Sequence, residues 1–257
     1  MDPNQMVVTM SQDSKFQLID ALWDFGQHGT RCSLRDFQRI AGHLNWALNV
    51  FPLLRPGLCS LYTKTAGKLH QRALIWVNCD VECELAWVIK HLTESNGVNL
   101  LKSETWTYWS LPLSTIRVYC DATPFGLSFW FPSNIQAFQA SAENLFREHN
   151  ESIFYLEVLC VCAALLHILA NIPRGGRIAV FTDNINMVQI FNSLATLSSF
   201  NWMLMSVVDE VLSKDVDFHV LHVPGVHNVI ADLLSHFRND EALALEPQLS
   251  IQMFQPP

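Results

Sequence analysis

The segment TIRVYCDATPFGLSFWF, residues 115–131, decides the fold class. Its two ends are rich in β-branched and aromatic residues, and Pro124–Gly126 interrupts them. That pattern reads as a strand, a turn and a returning strand. IQAFQA, residues 135–140, offers a third strand. Residues 152–172 then read as one long helix, apolar on nearly every side, as a buried helix is. RIAVFTD (177–183) reads as a strand. NINMVQIFNSL (184–194) and NWMLMSVVDEVLSK (201–214) read as helices. VDFHVLHV (216–223) reads as a last strand, and NVIADLLSHF (228–237) as the start of a further helix. Strands alternating with helices in this way predict an α/β domain over residues 111–238. The segment 239–257 is expected to be a peripheral, loosely packed tail.

Upstream, residues 1–110 predict a smaller, mainly helical region. Phe16, Ile19, Leu22, Trp23 and Phe25 recur at helical spacing, and Gly26 and Gly29 end that segment. Ser33 can cap a second helix with Asp36 in its first turn. Its apolar stripe is Leu34, Phe37, Ile40, Ala41, Leu44 and Leu48. Pro52 and Pro56 break the pattern. A third helix is expected from about Pro56 to Lys68, and a fourth after Asn78 or Asp80. ESNGVN, residues 94–99, reads as a turn.

Half of the 257 residues are hydrophobic, enough for a sizeable core. The apolar run Val158–Ile172 is broken by His167 and Asn171 and is short for a membrane span. The first residues, MDPNQMVVTM, lack the pattern of a signal peptide. A cytoplasmic or nuclear location, with no membrane partner, is therefore expected. Seven cysteines, an odd number, do not form a disulfide framework. Cys79 and Cys83 share a helical face, but with His91 they supply too few ligands for a zinc site.

The net charge of −8 is unevenly placed. Residues 1–110 hold ten basic and ten acidic residues, and residues 111–257 hold six and fourteen. Within the first part, Arg31, Arg35, Arg39, Arg55, Lys64, Lys68 and Arg72 stand against one acid, Asp36, over residues 31–72. Such a segment is either a set of solvated faces or a track for phosphates.

Four acids carry the chemistry. Asp121 and Asp183 each follow a predicted strand, and sites in open α/β sheets gather at the carboxyl ends of strands. Either aspartate alone is also an ordinary turn or cap residue. Glu157 is the only acid between Ser152 and Ile172. It lies either on a narrow exposed stripe or buried, where a carboxylate needs a partner or a cation. Asp232 lies one turn into the helix that Asn228 can cap, just after Pro224–Gly225. Four carboxylates brought together repel one another unless divalent cations lie between them. Hard oxygen ligands suit magnesium or manganese.

These residues stand in motifs that resemble a known family. YCDATPFG (119–126), YLEVLCVCAAL (155–165), FTDN (181–184) and HVPGVHNVIADLLS (222–235) are similar to the four motifs of the ribonuclease H region in gypsy- and DIRS-type retroelement reverse transcriptases. Residues 34–68 and 75–92 resemble the helical thumb and connection that precede it. The resemblance covers about residue 30 to residue 237. It implies a ribonuclease H-like mixed sheet flanked by helices, preceded by a thumb- and connection-like region.

It further implies that Asp121, Glu157, Asp183 and Asp232 hold two Mg2+ or Mn2+ ions and cut the RNA strand of RNA–DNA hybrids. His227 would assist proton transfer or product release. Arg31, Arg35, Arg39, Arg55, Lys64, Lys68, Arg72, Asn184 and Asn228 would contact nucleic acid. The aromatic stretch WTYWSLPL (106–113) either stacks on bases or packs internally. No Tyr-x-Asp-Asp occurs in the chain, so no polymerase activity is expected of it, and a separate reverse transcriptase chain is a candidate partner. Two other readings stand beside the nuclease. One is a catalytically inactive, domesticated binding or scaffold protein of the same fold. The other, less well matched, is an integrase- or transposase-like nuclease.

Overall fold

The structure, a computed structural model, describes residues 7–95, 98–99, 106, 111–143, 145 and 153–257. The chain divides into two compact units: Met1–Ser103 with Leu194–Asn201, and Glu104–Ser193 with Trp202–Pro257.

The first unit is mainly helical. Its elements are β1 (Val7–Val8), α1 (Gln12–Phe25), β2 (Arg31–Ser33), α2 (Leu34–Ala47), α3 (Cys59–Thr65), β3 (Leu74–Trp76), α4 (Cys79–Glu94) and β4 (Val98–Asn99), with a 3-10 segment at Pro52–Leu58. Ser33 and Asp36 form a reciprocal capping box on α2, which satisfies two N–H groups that the first turn would otherwise leave open. The stripe Leu34, Phe37, Ile40, Ala41 and Leu44 is buried as its spacing requires. Asn78 caps α4.

On α1 the buried face runs through Lys15, Leu18, Leu22 and Phe25, so Phe16 and Trp23, expected in the core stripe, point to solvent. Lys15 fits a core face because its ammonium reaches the Ser95 carbonyl at 2.7 Å while its stem packs. The expected turn at residues 94–99 falls partly on Asn96 and Gly97, which lie outside the described residues. Val98 and Asn99 themselves pair with β1.

The second unit is built on β5 (Ile116–Ala122), β6 (Gly126–Phe131), β7 (Gln136–Ser141), α5 (Ile153–Asn171), β8 (Arg177–Thr182), α6 (Ile185–Ser193), α7 (Asn201–Lys214), β9 (Asp217–His222), α8 (Val229–Ser235), α9 (Asn239–Leu245) and β10 (Ser250–Met253). Six strands form one sheet in the order β10-β7-β6-β5-β8-β9. β5, β6 and β7 run antiparallel in succession. β8 lies parallel to β5, β9 parallel to β8, and β10 parallel to β7. This mixed sheet flanked by helices is consistent with a ribonuclease H-like fold.

The β5–β6 turn is set by Thr123, whose hydroxyl accepts the N–H groups of Phe125 and Gly126 at 3.2 Å. Gly126 is required there: a Cβ would lie 2.6 Å from the Phe237 ring and 2.8 Å from the Ala140 carbonyl. α5 is long and apolar enough to cross a membrane, but 67% of it is buried within the protein, where it acts as the core helix.

The end of the chain departs from the expected loose tail. β10 joins the sheet beside β7, and Leu249 and Ala242 pack with Ala137, Leu233 and Leu234. Burial of this apolar set outweighs the polar, short segments around it.

Candidate active site

The parallel register of β5 and β8 pairs Tyr119 with Phe181, two residues before Asp121 and Asp183 respectively. The rings of Tyr119 and Phe181 stack at 4.7 Å on the face where α8 lies. Two adjacent parallel strands thus end level with each other, each followed or closed by an aspartate. Asp121 is 6% exposed.

α8 is fastened over the same strand ends by side chains. Ser128 donates to the Ala231 carbonyl at 2.6 Å, Thr123 to the Ser235 carbonyl at 2.9 Å, and Asn228 to the Cys120 carbonyl at 3.0 Å. This places Asp232, in the first turn of α8, beside the pair. Gly225 packs close to the bend after β8, since a Cβ on it would lie 3.1 Å from Asp183 Oδ2.

Glu157 comes from the core helix. It is 7% exposed, which rules out the exposed-stripe alternative. One turn along α5, the Cys160 thiol donates to the carbonyls of Asp121 and Ser128, so that face of the helix rests on the strand that bears Asp121.

Charge reports the convergence. The Asp121 carboxyl is pushed up to about 7, first by burial and then by the charges of Asp183 and Asp232, against a lowering hydrogen bond from Ser235. The Glu157 carboxyl is pushed up to about 8, by burial, then by the charges of Asp121 and Asp183, against a hydrogen bond from Asn184. Among the described residues, no Lys or Arg forms an ion pair with Asp121, Glu157 or Asp183. An acidic pocket without a basic partner is the donor set that hard divalent cations fit.

Among the described residues, no group of three or more His, Cys, Asp or Glu stands close enough together to hold a metal ion. Magnesium keeps several waters and is held by one or two carboxylates together with substrate phosphates, so a looser set of acids is compatible with it.

Three residues support the acids. Ser235, fully buried, donates its hydroxyl to Asp121 Oδ2 at 2.5 Å. Asn184 donates to Glu157, while its own Oδ1 accepts the Asn186 N–H at 2.9 Å. His236 Nε2 lies 3.8 Å from Asp232 Oδ1. Ser235 closed the last of the four resembling motifs without being given a role, and His236 was not singled out. The signal for His236 is spacing alone, four residues after Asp232 at the C-cap of α8.

Other expected site residues fall elsewhere. His227 is exposed at the end of a 3-10 turn, Gly225–His227. Asn228, expected to cap α8 and to touch nucleic acid, occupies the N-cap position. It is 1% exposed and its amide is spent on Cys120, with no side-chain cap formed. Arg35, Arg39, Arg55, Lys68 and Arg72 are exposed on the first unit, and Lys64 is half-buried. Arg39 also pairs with Asp36 at 3.6 Å. Arg31 lies over the Trp76 ring at 4.2 Å. Cys79 and Cys83 come within 3.7 Å of each other without a completed ligand set. Of WTYWSLPL, Trp106 stacks on His219 at 5.2 Å under the Arg177 guanidinium, a packed rather than a free ring. Residues 107–110 lie outside the described residues.

No family model and no curated protein matches the chain. Among solved structures, it is similar to the foamy viral protease-reverse transcriptase dRH in complex with double-stranded DNA. The TM-score is 0.30 and the identity 16%, over 76% of this chain and 36% of that one. The chain thus spans little more than a third of that protein's length. At this similarity the functional case rests on the chain's own residues.

Proposed function

We propose that the chain is a metal-dependent endonuclease that hydrolyses the RNA strand of RNA–DNA hybrids. One observation carries the reading. Two carboxyls, Asp121 and Glu157, are held up in pKa first by burial and then by neighbouring acids, Asp183 and Asp232 for Asp121 and Asp121 and Asp183 for Glu157, and among the described residues no Lys or Arg pairs with either. Asp121, Glu157, Asp183 and Asp232 would hold two magnesium or manganese ions. When bound, such ions activate a water and stabilise the leaving oxygen of a phosphodiester.

The chain's own groups prepare that site. Ser235 holds Asp121 in one orientation and favours its ionised form, since a donated hydrogen bond stabilises the carboxylate. Asn184 does the same for Glu157. Burial of both acids excludes bulk water and strengthens every interaction with charge. His236 Nε2 lies 3.8 Å from Asp232, whose side chain is 50% exposed. Hybrid selectivity would come from duplex shape and 2′-hydroxyl groups rather than base sequence. The hybrid is the proposed partner, and a separate reverse transcriptase chain supplying synthesis a further one.

The test is a labelled hybrid with purified chain and magnesium. Cleavage of the RNA strand to 3′-hydroxyl and 5′-phosphate ends is expected. Asp121→Asn and Asp183→Asn should each abolish it, and unchanged cleavage by either variant would refute the assignment.

A second reading, an inactive binding or scaffold protein of the same fold, is favoured by the absence of a ready-made metal cage among the described residues. It predicts that manganese does not raise the melting temperature, whereas a working site is stabilised by what it binds.

A further inference from the structure

The first unit holds an open cavity of about 490 Å³ between α3 and the β2–β3 ribbon, and no residue assigned to the carboxylate site lines it. Lys64 and Lys68 line it, together with Trp76, Thr63 and Asp80. Across the ribbon Arg31 pairs with Trp76, and its guanidinium lies over the ring at 4.2 Å. Trp76 is nevertheless 51% exposed, and Leu74, on the same face of the ribbon, is 63% exposed. A large ring left half in water costs free energy that burial would recover.

We propose that this cavity is a binding site for an unpaired nucleic-acid strand, with a base stacked on Trp76 and the flanking phosphates on Lys64 and Lys68. The chemistry selects that occupant. Two ammonium groups call for an anion, and one acid in the lining, Asp80, does not cancel them. Its carboxylate is engaged by Asn78 Nδ2 at 2.8 Å. An acidic peptide or a free phosphate satisfies the lysines and leaves the exposed half of the indole, which Arg31 does not cover, in water. A planar base satisfies the indole, since stacking on an aromatic side chain tolerates any base. In a duplex the base faces are covered by their neighbours, so only an unpaired stretch presents one. Arg31 and Arg72, both exposed and close in the ribbon sequence, would continue the cationic track. The proposal rests on the chain handling nucleic acid, and not on its cutting any.

The experiment measures binding of a fluorescein-labelled 12-nucleotide single strand to the full chain in chelator, where hybrid cleavage does not enter. Trp76→Ala should weaken binding about tenfold, within the range for loss of one base stack. Trp76→Phe should retain most of it, which a merely structural role for the ring would not require. Lys64→Glu/Lys68→Glu, at partly and fully exposed positions, serves if Trp76→Ala fails to fold. It should reduce the slope of log affinity against log salt by roughly 0.7 per phosphate contact removed.

Blunt duplex and AMP are expected to compete poorly. Equal competition by AMP overturns the strand assignment in favour of a free-nucleotide pocket. Unchanged single-strand affinity in both Trp76→Ala and the lysine pair variant overturns the site itself. If cleavage in magnesium fails while binding through Trp76 persists, the nuclease reading falls and this one stands.

Discussion

A carboxyl pushed up to about 7, as on Asp121, or about 8, as on Glu157, carries a proton that the unfolded chain releases near pH 4. Between those values the folded state binds more protons than the unfolded one, so its stability falls as pH rises. The metal-free protein is therefore expected to lose melting temperature from about pH 5 to pH 8, and Glu157→Gln to flatten that slope. Scanning calorimetry in chelator measures both, and a slope that the variant leaves untouched contradicts the assignment. Ser235→Ala removes the donor that holds Asp121 down, so the pH midpoint of cleavage should move upward. A supporting residue of this kind is worth roughly 10- to 100-fold in metal affinity or activity. At this scale the sequence was informative where chemistry is anomalous. Glu157 stood out as one acid in an apolar helix, and Asp121 and Asp183 as acids at strand ends. Asn228 holds the N-cap position as read, but its side chain turns inward to a strand carbonyl that no local pattern announces. His236 was silent for a different reason, since its meeting with Asp232 is a matter of helical spacing that many surface pairs share.

Helices and strands that bury one face were readable from periodicity, as α2 and the β5–β6 hairpin illustrate. α1 was harder. Its two aromatic residues, Phe16 and Trp23, face out while Lys15 is buried, and hydrophobicity alone assigns all three to the wrong side. β10 was unreadable because its pairing partner, β7, lies far back in the chain and the strand itself is mostly exposed. Deleting residues 239–257 should therefore destabilise the sheet unit, since it uncovers Leu233 and removes the buried Ala242 and Leu249. A lowered urea midpoint with raised dye binding is the expected result. Gly126→Ala should cost roughly 1–3 kcal/mol, because its Cβ would press on the Phe237 ring and the Ala140 and Ser235 carbonyls. In the helical unit the buried Glu84 accepts Ser60 N–H and Oγ–H at 2.7 and 2.8 Å and the Asn201 amide at 2.7 Å. Glu84→Leu leaves those donors unpaired and should cost about 1–3 kcal/mol for each group left unsatisfied, read by chemical denaturation.

Over the whole molecule, charge is unevenly placed. The excess negative charge lies in residues 111–257, where on the proposed function it would draw cations, and the basic stretch lies in residues 31–72, where it would meet phosphates. An acidic protein can in this way bind a polyanion without a net positive charge. The claim on which this reading depends is that the clustered acids hold divalent cations and cut a hybrid. Its most direct measurement is the cleavage of an end-labelled RNA–DNA hybrid in magnesium by the wild-type chain and by Asp121→Asn. The account predicts RNA-strand products from the first and none from the second. Equal products from both, or none from a folded wild-type chain, contradicts it.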